Sequence, residues 1–248
     1  MRFPWKLRFP KLRNINMFCT DSVLPLLECA TLPSHVDSIR IYAAAPVLQC
    51  VSGLALPATR RIEIGTDGRG GNTVNGDGVA MVAAACRILE KAQGAKELAL
   101  VIGDSWPRVQ PEHITFTSIT ELRISPSANM DAMLGLLQRL PKLVNVWFDS
   151  FDAETVDVDL LLPGPDEGCA VEPLHASIKK MEVYSIDSAA SRENSAAVVN
   201  YLLLKIPTLA RLNAHRTLSA PVLQFVKAYS EQHPRLSRVK LRLCNEED

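Results

Sequence analysis

A glycine-rich stretch from Gly65 to Gly78 is the first candidate in this chain for phosphate chemistry. It holds six of the twelve glycines. Phosphate loops need backbone amides around the anion, a lysine for the phosphates and Ser or Thr for magnesium, in the order G-x-x-x-x-G-K-[ST]. No lysine lies between Lys11 and Lys91, and the aspartates of the stretch repel phosphate. The sequence therefore favours an exposed loop over a nucleotide site.

Metal binding is also poorly supported by the spacing of the candidate ligands. The glycine-rich stretch has acidic and amide side chains but lacks the D-x-[DN]-x-[DN]-G order and the closing glutamate of a calcium loop. The five histidines are scattered, with no H-x-x-x-H pair and no cysteine at ligand spacing. We therefore expect no metal and no other cofactor.

Nucleophilic catalysis would need a nucleophile beside a base. Cys169 and His175 are six residues apart in a predicted loop, which is too little to define a catalytic pair. A G-x-S-x-G elbow does not occur. We expect no catalytic residues, and we expect the histidines to be solvated or hydrogen-bonded structural side chains.

A short apolar pattern recurs along nearly the whole chain. It has apolar residues at positions 0, 3 and 5, and five of its nine copies carry a proline two residues before position 0. Successive copies begin 23 to 36 residues apart, the length of one strand plus one return segment. Such a unit cannot bury its apolar face alone, so the repeat predicts a solenoid. The copies begin at Leu12, Val36, Thr59, Ala95, Ile119, Leu143, Ile178, Leu209 and Leu236.

Between copies, the apolar period changes from that of a strand to that of a helix. One stripe begins after Asp77, a good N-cap, and closes at Gly94, and two others stop at Pro141 and Pro207. Helices that return the chain to the same edge make the strands parallel. The predicted helical stripes cover residues 23–30, 79–89, 130–140, 199–206 and 222–229.

Two copies are followed by long polar insertions, at residues 66–77 and 156–172. Both are rich in turn-forming or acidic residues, so we expect exposed loops that are dispensable for the fold. No domain boundary separates them. We predict a single α/β domain over residues 1–248, a solenoid of about nine parallel strands alternating with helices and long loops.

Segments of the form Pro-x-Leu-x-x-Leu-x-Leu followed by a helix resemble the leucine-rich repeat family over residues 10–243. More narrowly, the chain is similar to fungal F-box/leucine-rich-repeat proteins. The resemblance implies a solenoid that binds proteins, but position 8, usually Asn or Cys in the family, is mostly neither here. Only eleven residues precede the first copy, too few for an F-box. A ubiquitin-ligase role would therefore follow only if an F-box is missing from this chain.

Composition sets further limits on function. The 27 basic and 27 acidic residues cancel, so there is no global electrostatic reason to bind nucleic acid or an anionic membrane. No stretch approaches the length of a membrane helix, and no signal peptide follows the basic first residues. The six cysteines have no disulfide-like spacing. We expect a reduced protein of the cytoplasm or nucleus.

Positions 2, 4 and 6 of each copy must point away from positions 3 and 5, and so line one face of the sheet. Aromatic residues flanked by arginine on this face have the composition of interface hot spots. A basic group near its C-terminal end favours an acidic partner. Alternatively, the two long loops fold over this face and cover the aromatics, and the acidic loop neutralises the basic group. The predicted binding residues are Phe18, Arg40, Tyr42, Trp147, Tyr184, Arg211, His215, Lys240 and Arg242.

Three interpretations remain in competition. The leading one is a non-enzymatic module that binds a protein partner on its strand-lined face. An open-sheet α/β enzyme with a site at the strand C-termini is the alternative, although the polar residues at alternate strand positions argue against a sheet covered on both faces. The third is a fragment of a longer solenoid, because a full copy begins almost at once and no polar cap is evident at either end.

Overall fold

A computed structural model provides the structure of the protein. Residues 66–76 and 153–172 are not described, so most of both predicted loops lies outside the described residues. The described residues are 7–19, 30–65, 77–91, 94–102, 116–126, 128–129, 136–152, 173–186, 199, 201–203, 205–215, 228 and 240–244.

Twelve strands and two helices have defined bounds in the described part of the chain. The helices are α1 (Ala45–Val51) and α2 (Asp77–Lys91). The strands are β1 (Leu7–Arg8), β2 (Asn14–Cys19), β3 (Ala30–Thr31), β4 (His35–Ala43), β5 (Ala58–Gly65), β6 (Glu97–Ile102), β7 (Glu121–Pro126), β8 (Ala128–Asn129), β9 (Asn145–Asp152), β10 (Lys180–Ile186), β11 (Arg211–His215) and β12 (Lys240–Cys244).

Nine of these strands form one parallel sheet in the order in which they occur along the chain. The order is β2-β4-β5-β6-β7-β9-β10-β11-β12, with the short β8 paired to β9. Strands β1 and β3 form a separate parallel pair. Each of the nine apolar copies contributes one of the nine strands, so the prediction of parallel strands in chain order is confirmed. The described architecture is an open parallel sheet of the α/β type.

The predicted alignment of the copies is correct for eight strands and wrong for the last. In β12, Leu241 pairs with Leu212 and Leu243 pairs with Ala214, so the true register lies two residues beyond the predicted one. The run of alternating apolar residues that includes Val239 and Leu241 permits either register. A shift of two residues leaves every side chain on its original face, so the alternation does not distinguish the two.

The core of the sheet is built from positions 0, 3 and 5 of the copies. At positions 3 and 5 of β2 to β10, every side chain is at most 7% exposed, as predicted. Isoleucine and valine are frequent there because branched side chains pack well on a pleated surface. The fully buried residues at these positions, each 0% exposed, are Ile39, Ile41, Ile62, Ile64, Leu122, Val146 and Met181.

The helices were predicted less well than the strands. Helix α2 spans the predicted stripe of residues 79–89, and Gly94 beyond its end has a φ of 84°, a left-handed conformation that favours glycine. Helix α1, which contacts α2, was not predicted. Ala30, assigned to a helical stripe, lies instead in β3 and pairs with Leu7. Tertiary pairing has overridden a weak local period there.

Polar side chains join neighbouring turns just before the strands begin. Buried His175 donates from Nε2 to the Leu140 carbonyl at 2.9 Å, while its Nδ1 accepts from the Ser177 amide at 3.2 Å. Ser177 Oγ in turn donates to the carbonyls of Pro141 and Leu143. These bonds satisfy the backbone carbonyls of Leu140, Pro141 and Leu143 in the turn before β9. His175 is therefore a structural, neutral imidazole.

Replacing His175 with glutamine should reduce the slope with which the free energy of unfolding falls as the pH is lowered below about 6.5. Burial lowers the pKa of His175 below its usual 6.5, against the opposing effect of its hydrogen bond to Leu140. The unfolded chain therefore binds more protons than the folded protein just below pH 6.5, and the free energy of unfolding falls there as acid is added. For one group this slope is at most about 1.4 kcal/mol per pH unit.

Urea unfolding at neutral and mildly acidic pH measures the slope for wild type and His175→Gln. The carboxylates contribute alike to both proteins, so the difference between the two slopes isolates the histidine. Parallel slopes would show that His175 has the same proton affinity in both states.

Candidate interaction surface

The side chains at positions 2, 4 and 6 form what we call the outward face of the sheet. Among the described positions of β2 to β10, these side chains are mostly half-buried or exposed, as predicted. Glu63, Gly65 and Ala99 differ from the prediction because they are buried. All three belong to the outward face by register. Tyr42, Arg40 and Arg61 surround Glu63, and the Tyr42 ring packs against Gly65.

Three of the predicted binding residues meet in one group near the start of the sheet, which we call the Glu63 cluster. The Phe18 and Tyr42 rings stack with centroids 5.2 Å apart and planes 12° apart. The Tyr42 hydroxyl donates to Glu63 Oε1. Arg40 Nε and Arg61 Nη2 lie 3.4 and 3.5 Å from Glu63 Oε2. Glu63 itself, although charged, is only 8% exposed.

The Glu63 cluster uses most of its polar groups internally. Burial raises the pKa of Tyr42, and the hydrogen bond to Glu63 raises it further. The phenol therefore stays protonated and donates to the carboxylate. Phe18 is different, because 70% of it is exposed and it offers an apolar surface. Of the three predicted anchors in this cluster, Phe18 is thus the one most open to a partner.

Trp147, on β9, lies four strands beyond Tyr42 on β4 and has its own polar surroundings. Lys180 Nζ is 5.6 Å from the centre of the Trp147 ring and 2.5 Å from Glu182 Oε1. On the preceding strand, Arg123 Nη2 lies 3.2 Å from Asp149 Oδ1. The Tyr42 and Trp147 rings therefore belong to different groups of side chains, on strands about 19 Å apart at a strand spacing of about 4.8 Å.

A depression of about 420 Å³ opens on the outward face beside Trp147. Its floor exists because position 4 of β6 is Ala99, whose neighbours in the same row are Glu63 and Arg123. A methyl group between longer side chains leaves a gap. The side chains that line it from the outward face belong to Arg61, Glu97, Ala99, Glu121, Arg123, Trp147, Asp149 and Glu182.

The register also places residues of like charge side by side at position 2. Glu97 pairs with Glu121 in neighbouring strands, at the edge of the depression. Further along the same row, Lys180 pairs with Arg211, and Arg211 pairs with Lys240. We call these last three residues the basic row. The predicted basic group is thus continuous in the backbone along position 2, which Lys240 occupies in β12.

The side chains of four predicted binding residues lie outside the described residues, although their backbone positions are defined. They are Tyr184, His215, Lys240 and Arg242. In the backbone register, Asn213 pairs with Arg242 on β12. Arg211 is exposed and has no hydrogen bond or ion pair from its side chain to another described residue.

Sequence reasoning found the face but not the depression within it. Its carboxylates at Glu97, Glu121, Asp149 and Glu182 were not among the predicted binding residues. The signal that marks it is Ala99, a small residue in a row of long ones. That signal becomes visible only when adjacent strands are aligned.

No group of three or more His, Cys, Asp or Glu side chains in the described part of the chain is placed to hold a metal ion. None of the helices in that part has the length and apolar character needed to cross a membrane. Comparisons with known proteins found no matching family model, no matching curated protein and no matching solved structure.

Proposed function

We propose that this chain is a leucine-rich-repeat-like solenoid that binds a protein partner on its outward face and catalyses no reaction. The strand order supports a solenoid, because each repeat pairs with its neighbours along the chain. The shared register of the first eight strands supports it as well, since it stacks equivalent positions into continuous rows.

The depression beside Trp147 is the observation that carries the proposal. It combines an aromatic wall, several charged side chains and a concave surface on a face that the core does not use. Binding energy in protein interfaces concentrates at aromatic and arginine side chains in such surroundings. The Arg123–Asp149 and Lys180–Glu182 pairs hold the surroundings of Trp147 in place before a partner arrives.

The enzyme alternative gains no support from the strand order. Open α/β enzymes bind ligands where the order of strands reverses, because the loops diverge there and leave a crevice. The order of the nine described strands runs without a reversal.

The charge distribution supports a partner that presents acidic groups to the basic row. Lys180, Arg211 and Lys240 occupy one position on three adjacent strands. Charges of one sign concentrated in this way speed the encounter with an opposite charge. An apolar side chain of the partner then packs near Trp147 and Tyr184, and supplies most of the residence time.

Loss of the aromatic side chains should abolish capture of the partner. We expect proteins retained by immobilised wild type from a cell extract to be lost from a Trp147→Ala/Tyr184→Ala double variant. Truncating large aromatic anchors typically costs about 2 kcal/mol or more of binding free energy, at least a factor of about 30 in affinity. Quantitative mass spectrometry of the retained proteins measures the loss.

Arg87→Ala is the matched control, because Arg87 is exposed on α2 and is not part of the outward face. It should retain what wild type retains, and circular dichroism must show that all three proteins are folded. The same binding profile for the double variant as for wild type would remove this region as the recognition surface.

A further inference from the structure

The acidic edge of the depression is an unfavourable arrangement for the isolated protein. Glu97 and Glu121 occupy paired positions on adjacent parallel strands, and like charges so placed destabilise a sheet. Arg60 Nε offsets one of them, at 3.1 Å from Glu97 Oε1. The carboxylate of Glu121 has no hydrogen bond or ion pair with another described residue. The position of Glu121 does not stabilise the fold, so we attribute it to function.

Charge inside the depression is not balanced by its own lining. Four carboxylates and two guanidinium groups line it. Cations pair with three of the four carboxylates, because Arg60 contacts Glu97, Arg123 contacts Asp149 and Lys180 contacts Glu182. Arg61 contacts Glu63, which Arg40 contacts as well. Glu121 is the lining carboxylate that has no ion pair with a described residue. The remaining field is negative at the Glu121 edge, so an anionic group would be repelled there and a cationic one attracted.

Resting on the proposed function, we propose that this depression receives an arginine side chain of the protein partner. Its guanidinium lies against the carboxylates of Glu97 and Glu121, and its aliphatic stem packs on Ala99. The two carboxylates belong to strands about 4.8 Å apart, a separation that a planar, forked donor spans better than a compact ammonium. Trp147 also lines the depression, and its ring, which already has Lys180 Nζ 5.6 Å from its centre, favours arginine because guanidinium groups stack on aromatic faces.

The partner therefore presents both signs of charge. Its arginine lies over β6 and β7, while its acidic groups lie over the basic row on β10, β11 and β12. From the boundary between β6 and β7 to the centre of the basic row is about 17 Å at the usual strand spacing. An extended segment covers that distance in about five residues. The opposite order of charges on the partner would be repelled at both ends.

Selection from a library of random linear peptides tests the inference. Wild type, Trp147→Ala, Glu121→Gln and the control Glu90→Gln serve as parallel baits. Glutamine keeps the shape of glutamate, and Glu90 is an exposed carboxylate on α2. We expect wild type and Glu90→Gln to enrich peptides with arginine at one position, and Trp147→Ala to lose them. Glu121→Gln should lower their affinity about tenfold by anisotropy.

Replacing the enriched arginine by citrulline, which keeps the shape and removes the charge, completes a double-mutant cycle with Glu121→Gln. Each change alone should weaken binding, and the two together should weaken it no further than one. Losses that multiply would place the arginine elsewhere and overturn the inference. So would peptides that need Trp147 but not Glu121, or that are enriched in acidic residues at that position, while the proposed function would stand. Failure to select any Trp147-dependent peptide would overturn both.

Discussion

Replacing Leu122 with aspartate should destabilise the protein by at least about 3 kcal/mol. Leu122 is fully buried at position 3 of β7, in register between Leu98 and Val146. The substitution removes a large apolar side chain from the core and forces a carboxylate either to be buried without a partner or to open the strand. Urea unfolding followed by circular dichroism measures the change in the free energy of unfolding.

The neighbouring residue provides the control. Arg123 is on the outward face with its side chain 57% exposed, and its ion pair with Asp149 is a surface pair. Arg123→Ala should therefore change stability by only about 0.5 kcal/mol. If Leu122→Asp does not fold, Leu122→Ala, with an expected loss of about 2 to 5 kcal/mol, keeps the comparison measurable. Equal losses at positions 122 and 123 would contradict the assignment of their faces.

The strands could be predicted from the sequence because their apolar residues carry two signals at once. Ile39 and Ile41, or Ile62 and Ile64, alternate with polar residues, and the same spacing recurs in the next copy. Each repeat therefore confirms the next, and the register follows from aligning the copies. The predicted register is wrong in β12, where Leu243 extends the alternation by one more step and the pattern has no unique start.

Helix α1 could not be predicted in the same way because it is short and has no side-chain cap. Ala44 precedes it without a capping hydrogen bond, and among the described side chains of the helix Val47, Leu48 and Val51 mark its buried side. Three apolar residues within one turn and a half do not define a period. The helix is stabilised by packing against the core and α2, which is information from the tertiary structure.

For the candidate site, the sequence predicted which face carries it but not how its residues group. Trp147 and Tyr42 are both on the outward face, as expected, yet they belong to separate clusters. The partners that decide this, Lys180 for Trp147 and Glu63 for Tyr42, come from adjacent strands. Contacts of this kind depend on side-chain length and rotamer across strands, which spacing along one chain does not reveal.

Gly65→Ala should destabilise the protein by about 2 kcal/mol, although alanine usually stabilises an extended segment relative to glycine. Gly65 lies at position 6 of β5, paired with Tyr42 on one side and Val101 on the other. A Cβ atom there would be 2.8 Å from the Val101 carbonyl oxygen and 2.9 Å from two carbons of the Tyr42 ring. Without that clash, Gly65→Ala should instead stabilise the protein by about 0.4 to 1 kcal/mol. The sign of the change in the free energy of unfolding therefore shows whether the clash exists.

Denaturant unfolding of Gly65→Ala, of Tyr42→Ala and of the double variant separates the two contacts. Removing the Tyr42 ring relieves one of them and leaves the Val101 carbonyl in place, so Gly65→Ala should cost less in that background, by at least about 0.5 kcal/mol. Ser125→Ala, at the same repeat position two strands further, should change stability by no more than about 0.5 kcal/mol. A stabilising Gly65→Ala would mean that the Tyr42 ring does not pack over β5. Phe18 stacks on the Tyr42 ring, and the Tyr42 ring packs closely against Gly65 because glycine has no side chain. If the Tyr42 ring does not pack there, Phe18 loses the ring on which it stacks.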